Sequence, residues 1–335
     1  MPIQGFTRFR KHQLGKQSVI GTPAAADRVF PFRGAITFDP HWTEPDVDAG
    51  SIDPLMAPYK MASDTAASLS GPLCYDDISR ILAATVIGGT SPSGGPAYTH
   101  TFTAASLTST ALDMFTDEWG DDVTSDGVQA YGGVISRLQW GFGENLGPWD
   151  VTMDWVYAGM NRPVTPTGGL SVGSNPIWVY GRDTGIYINS TSGTIGSTKI
   201  ADAVHSLQQT LTNSIDHKRY ANGSNDGFAV VGWGVTKREI TTDITFAKTT
   251  AVIAEVANWL ANDPVDRYLE IRTTSPTLVG GVPYSNSIKL AGNWFTRSDG
   301  EQGGNSTIVL SLRGRYDAGL AYAFKDVVVN SKSSV

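Results

Sequence analysis

Apolar and polar residues alternate with a period of two along much of the chain. From Trp149 to Tyr157, the residues Trp149, Val151, Met153, Trp155 and Tyr157 interleave with Asp150, Thr152, Asp154 and Val156. Successive strand side chains point to opposite faces, so this pattern predicts a half-buried strand. Residues 133–142 predict its hairpin partner, with Val134, Leu138 and Trp140 opposing Val151, Met153 and Trp155. In residues 228–247, Ile240, Ile244 and Phe246 take one face, and Glu239, Thr241, Asp243 and Thr245 take the other. Further strands are predicted at 33–39, 97–104, 111–119, 177–189, 205–214, 267–274, 287–295 and 306–316. In the last pair, Ile288, Leu290 and Trp294 are expected to oppose Ile308, Leu310 and Leu312.

Two stretches have helical period instead. Over residues 73–86, Ile78, Ile81, Leu82 and Thr85 share a face. Asp76 and Asp77 sit where they complement the helix dipole, and Gly88-Gly89 ends the run. Over residues 250–261, Val252, Ile253, Val256, Trp259 and Leu260 are expected to form the buried face, with Pro264 beyond the end.

Composition agrees with a mainly β protein carrying two short helices. The 335 residues include 37 glycines and 17 prolines without a period, which implies many turns. Charged residues are only 17%, below the ~25% usual for globular domains. Ser, Thr and Asn make up much of the polar surface, which suits strands and contacts between subunits.

Residues 1–30 read as an N-terminal arm carrying Arg8, Arg10, Lys11 and Lys16, with no acid before Asp27. Residues 40–58 read as a long loop holding Asp46, Asp48 and Asp53. Arg8, Arg10 and Lys11 with these three acids are candidates for contacts between subunits. Residues 161–176, rich in Pro, Gly, Thr and Ser, read as a linker. The segments 1–165 and 166–335 share an order of strands, one helix and a closing hairpin, which suggests an internal duplication.

The chemistry of catalysis is thin. GFGENLG (141–147) brushes against a dinucleotide fingerprint, but that loop needs a helix after it to face the pyrophosphate. Pro148 and a period-two segment follow, so these glycines are read as a hairpin turn. His12, His41, His100, His205 and His217 lie far apart without metal-ligand spacing. The acids between Asp113 and Asp126 lack the calcium-loop spacing and read as a solvated loop after a strand. Cys74 is the one cysteine, which excludes an intrachain disulfide and a cysteine-based zinc site. It reads as a packing residue at a helix start. No G-x-S-x-G or GK[ST] occurs, so no enzyme, cofactor or metal is expected. The net charge of −7 offers no overall basic footprint for nucleic acid. No apolar run reaches the ~20 residues of a membrane span, and the start has no apolar leader. The nine tryptophans could stack sugars, but strand alternation and the helix face assign most of them to a core.

Several stretches together resemble a known family. They are KQSVIGTPAAADRVFPFRG, GPLCYDDISRILAATVIG followed by YTHTFTAASL, and GGVISRLQWGFGENLGPWDVTMDWVYAG. VTKREITTDITFAKTTAVIAEVANWLAN and IKLAGNWFTRSDGEQGGNSTIVLSLRGRYDAG add to them. The chain is similar to tail tube proteins, or major tail proteins, of long-tailed bacteriophages. The resemblance covers most of the chain and rests on patterns rather than catalytic signatures. It implies a β-sandwich flanked by a helix, whose inner strands join neighbours into a β-barrel. Rings stack into a tube through which double-stranded DNA passes without tight binding. It also implies tape measure, tail terminator and tip proteins as partners, and a virion tail assembled in the host cytoplasm. Two tube domains in one chain would need three copies for a pseudo-sixfold ring; one lumen-lining half would need six. The matching hairpins favour three. Asp150, Thr152, Asp154, Glu239 and Asp243, on polar strand faces, are the lumen candidates. Lys289, Arg313 and Arg315 on comparable faces of the second hairpin argue against a uniformly acidic wall. The alternative is a carbohydrate- or receptor-binding β-sandwich of a virion or cell surface.

Overall fold

The computed structural model describes residues 10–43, 59–104, 111–120, 126–172, 175–219 and 230–335. In the first half, β1 (Lys11–Gln17), β2 (Arg28–Phe30), β3 (Ile36–Thr43) and β4 (Tyr59–Pro72) precede α1 (Tyr75–Thr85). Then come β5 (Ser93–Gly94), β6 (Tyr98–Ala104), β7 (Met114–Gly120), β8 (Gly127–Phe142), β9 (Asp150–Tyr157) and β10 (Gly159–Val164). In the second half, β11 (Thr184–Asn189), β12 (Val204–Lys218) and β13 (Gly232–Ala247) precede α2 (Thr250–Trp259). β14 (Asp266–Val279), β15 (Val282–Gln302), β16 (Asn305–Gly314) and β17 (Phe324–Asn330) complete it. The protein is mainly β with two helices.

Every strand pair is antiparallel. The main sheet runs in the order β3-β4-β9-β8-β12-β13-β16-β15 and takes strands from both halves. Two long strands each serve a second sheet. The first part of β8 joins β2-β1-β7-β8-β10. The first part of β15 joins β11-β14-β15-β17-β6-β5. One face of the main sheet is apolar and buried, with Leu69, Val151, Met153, Trp155, Leu138 and Trp140 from the first half. Leu207, Leu211, Ile240, Ile244, Ile308, Leu310 and Leu312 continue it into the second half, within one cluster. Trp140, Trp149 and Trp155 are among the largest fully buried side chains. Each such ring removes 150–250 Å² from water, worth roughly 4–6 kcal/mol of transfer free energy before entropy is charged.

The two halves repeat one pairing scheme. β3–β4, β4–β9, β8–β9, β7–β8, β8–β10 and β1–β7 recur as β12–β13, β13–β16, β15–β16, β14–β15, β15–β17 and β11–β14. The irregularities recur as well. The register shift between Ile135 and Arg137 in β8–β9 reappears between Trp294 and Thr296 in β15–β16. The shift between His41 and Trp42 in β3–β4 reappears between Ser214 and Ile215 in β12–β13. Through these registers Ala67 corresponds to Thr242. The same alignment then matches Cys74, which precedes α1, to Thr249, which precedes α2, with no insertion between strand and helix.

Several expectations need correcting. The described part of the N-terminal arm is not a free arm. Residues 11–17 and 28–30 are strands, and Leu14 is fully buried, because β1 fills the edge beside β7. The expected loop 40–58 is shorter, since β3 continues through Thr43; residues 44–58 lie outside the described residues. In the first hairpin Leu138 faces Met153 and Trp140 faces Val151, but Ile135, not Val134, faces Trp155, because the bulge at Ser136 shifts the register. In the second, only Trp294 meets one of the three residues expected opposite, Leu312. Ile288 and Leu290 lie in the part of β15 that pairs with β14 and β17. β1, β4, β10 and β17 were not expected. The turn 143–149 joins β8 to β9, so GFGENLG connects two strands as read. On α1 the expected face is buried. On α2, Val252 and Val256 are buried, but Ile253 is 49% and Leu260 63% exposed, because no described residue covers that side.

Candidate functional site

The main sheet's second face is polar and open to solvent. Facing residues form rows across it. Ser70, Thr152, Gln139, Thr210, Thr241 and Arg313 make one. Ser68, Asp154, Arg137, Thr212 and Glu239 make the next. Asp150, Gly141, Gln208, Asp243 and Ser311 make a third. Strand alternation puts these side chains opposite the apolar set. Their hydroxyls and amides need no burial partner, so the face is stable only in water or against a hydrated ligand.

All five strand-face candidates, Asp150, Thr152, Asp154, Glu239 and Asp243, therefore share one face, although two come from a different half of the chain. Asp150, Thr152 and Asp243 line one concavity of about 580 Å³ with Gln139, Gln208 and Ser311. Ser68 Oγ donates to Asp154 at 2.8 Å, and Arg137 lies 4.0 Å from it. Glu239 is bound by Lys237 and by Arg313 at 3.2 Å. The Lys237 hydrogen bond, its charge and then Arg313 hold the Glu239 carboxyl below the usual range. Asp150 and Asp243 have no ion-pair partner among the described residues. Of the basic residues expected on comparable faces, only Arg313 lies here. Lys289 belongs to the part of β15 in the other sheet, beside Glu270, and Arg315 pairs with Asp266.

The contact candidates are dispersed. Arg10 is exposed and stacks over Trp119 at 4.9 Å. Lys11 lies in β1 and donates to the Leu170 carbonyl at 3.1 Å. Arg8, Asp46, Asp48 and Asp53 lie outside the described residues.

Two buried clusters resemble chemistry but lack access. His12 Nδ1 lies 2.8 Å from Asp117 Oδ2, and Tyr157 Oη donates to the same oxygen at 2.9 Å. Burial alone would lower the His12 pKa; the Asp117 charge and hydrogen bond, with the Gly34 carbonyl, outweigh it and the net shift is upward. All three side chains are at most 2% exposed, so no substrate reaches them. Cys74 Sγ donates to Asp77 Oδ2 at 2.9 Å. Burial, then the Asp77 charge, pushes the thiol well up, the reverse of an activated nucleophile. The acidic stretch 113–126 is not simply a solvated loop. Asp117 and Glu118 are buried in β7, where Glu118 accepts the Thr167 N–H at 2.7 Å. Asp113 pairs with Lys16 and Asp126 with Arg162. Among the described residues no cluster of three or more His, Cys, Asp or Glu is placed to hold a metal ion.

Sequence reasoning missed Ser68, Ser70, Gln139, Gln208 and Thr210 on the polar face. Their signal was alternation with Ala67, Leu69, Leu138, Leu207 and Leu211, in segments too rich in Ala, Ser and Gln for strand propensity to stand out. Comparison with protein-family models and with curated proteins found no match to this chain.

Proposed function

We propose that the chain is a tail tube protein, a structural virion protein whose copies close into rings and stack into a conduit for double-stranded DNA. One observation carries this reading. Eight strands from β3 to β15 cross both halves with one largely polar face, the other face packed, and, among the described residues, no further strand beyond β3 or beyond the second part of β15. Exposed sheet edges aggregate unless they are paired or closed, and ring closure removes both. The polar face suits a lumen. Its Ser, Thr and Gln side chains carry no charge, Arg137 and Arg313 lie beside acids, and Asp150 and Asp243 repel phosphate. A wall rich in unpaired Lys and Arg would release counterions and hold the DNA.

Each chain brings two repeats to the sheet, which favours three copies in a pseudo-sixfold ring over six. Tape measure, terminator and tip proteins would meet the tube's interior and ends. The protein would act in the virion tail after assembly in the host cytoplasm. In a carbohydrate-binding sandwich, exposed aromatic rings would be expected to stack sugars. Trp140, Trp149, Trp155 and Trp294 are in the core and unavailable for that; the exposed rings, Trp42, Phe38 and Phe295, lie on β3 and β15 at opposite ends of the main sheet.

Electron microscopy of the purified protein tests the reading. Hollow rings or tubes with three copies per ring by mass are expected. A small, discrete oligomer that binds glycans on an array would overturn it. Within tubes, Asp150→Asn with Asp154→Asn should leave assembly intact and slow DNA ejection. Unchanged ejection kinetics would remove these residues from the lumen.

A further inference from the structure

The join between the two halves is itself a strand pair. The second part of β8, in the first half, pairs with β12, in the second, through Trp140↔Gln209, Gln139↔Thr210, Leu138↔Leu211 and Arg137↔Thr212. In the repeated scheme β15 occupies the place of β8, and β3 that of β12. Among the described residues, the second part of β15 pairs with β16 on one side and with no strand on the other, and β3 pairs with β4 alone. The molecule therefore ends in the two edges that it joins at its own centre.

We propose that β15 of one copy pairs with β3 of the next in the register of the internal β8–β12 join. Carrying the internal register across by the repeat sets Phe38 opposite Arg297, Thr37 opposite Ser298, and Ile36 opposite Asp299. The inference rests on the proposed ring assembly and names its subunit contact.

Three observations support it. The first is exposure. Leu211 in the internal join is 2% exposed, while its counterpart Phe38 is 40% exposed. Thr85, at the end of α1, is fully buried, and its carbonyl accepts from Asn213 of β12 at 2.7 Å. Its counterpart Leu260 is 63% exposed, and the counterpart of Asn213 is Pro40 in β3. A polar contact inside the chain thus becomes an apolar pair of Pro40 against Leu260 between copies. Ile78 is fully buried on α1, which touches β15 and β17 of the second half, and its counterpart Ile253 is 49% exposed.

The second is a glycine. A Cβ on Gly141 would lie 1.9 Å from the Leu207 carbonyl oxygen across the internal join, so only glycine permits that approach. Its counterpart on the open edge is Gly300. There a Cβ would meet only Thr307 Oγ1, at 3.0 Å, a side chain that can turn. The isolated chain has little need of a glycine at Gly300; a neighbouring β3 backbone would have that need.

The third is chemistry. Arg297 reaches towards Trp259, 5.9 Å from the ring centroid. An incoming Phe38 gives it a second aromatic face and a cation–π contact. β-Strand addition supplies main-chain bonds, and pockets for alternate side chains set the register.

The test is disulfide capture. Facing antiparallel residues have Cα atoms about 4.5–5.5 Å apart, within disulfide reach. Phe38→Cys with Arg297→Cys should give covalent multimers under oxidation. Phe38→Cys with Asp299→Cys, displaced along β15, should give far less. In parallel, Gly300→Val should keep the melting temperature of the isolated chain and lose assembly. The proposal is overturned if assembled particles yield no product from the first pair, if both pairs react equally, or if Gly300→Val assembles normally. Tubes without this cross-link would sink the edge pairing and spare the tube reading. Cross-linked closed rings that never stack would do the reverse.

Discussion

Gln209 couples the two halves through a buried chain of hydrogen bonds. Trp140 Nε1 donates to Gln209 Oε1 at 2.7 Å, and Gln209 Nε2 donates to Thr242 Oγ1 at 3.1 Å. The side chains lie on β8, β12 and β13, within the apolar face, and none is more than 2% exposed. Gln209→Leu keeps most of the volume and removes both bonds. The indole N–H is left without a partner, at about 1–3 kcal/mol, and the bond to Thr242 is worth about 1 kcal/mol more. Leucine's greater apolar burial returns about 1 kcal/mol. The net expectation is a loss of about 2 kcal/mol, up to a factor of about 30 in the folding equilibrium. Urea denaturation of the isolated chain should show it as a lower midpoint with an unchanged slope. Trp140→Phe removes the stranded donor, so the double variant should lose about 1–2 kcal/mol less than the two single losses added. A Gln209→Leu midpoint equal to or above the parent's would refute the idea that this polar chain holds the halves together.

Other outcomes follow from burial and charge. Asp326 is wholly buried in β17, and burial pushes its carboxyl well above the usual range. A folded pKa above the unfolded one stabilises the fold at low pH, and that contribution is lost as pH rises towards the folded pKa. Asp326→Asn should therefore raise the melting temperature more at pH 7 than at pH 4; an equal change at both would contradict the raised pKa. Tyr157→Phe removes the hydroxyl bound to Asp117 and should cost about 1–2 kcal/mol in chemical denaturation. The raised His12 pKa makes its pairing with Asp117 fully stabilising below about pH 6.5, the unfolded value, and lost as pH climbs through the higher folded value. His12→Gln should thus destabilise more at pH 6 than at pH 9, as read from melting curves. Ile78→Ala should cost about 2–5 kcal/mol, whereas Ile253→Ala should change the isolated chain by less than about 0.5 kcal/mol and weaken assembly, measured by sedimentation.

Legibility in the sequence followed the strength of local pattern. β9, with four apolar residues spaced two apart, and α1, with its i, i+3, i+4, i+7 face, were readable because each buries one side locally. β4 was not. Its MASDTAASLSG is built from small residues of low strand propensity, and Ala67 and Leu69 count as core only because β3 and β9 flank them. β1 was hidden in the same way: HQLG has one apolar residue, and His12 and Gln13 are buried through specific partners, Asp117 and the Thr167 carbonyl. Of the polar face, the acids stood out as charges at alternating positions. The Ser, Thr and Gln rows between them did not, since a row exists only across strands distant in sequence.

The sequence alone determined the class of the protein: strands by period two, two helices by period 3.6, and a turn rather than a phosphate loop at GFGENLG. These are properties of neighbouring residues, and local geometry is enough to express them. Tertiary structure decided which strands meet. The bulges at Ser136 and Phe295 shift the registers of the two hairpins at corresponding places, which local alternation does not show. The bending of β8 and β15 between sheets assigned Leu138 to the main sheet and Ile288 to another. The exposure of α2 beside the burial of α1 was beyond any helical wheel. Both helices have an apolar face, but among the described residues α1 is covered by strands of both halves, and the Ile253 side of α2 is left exposed.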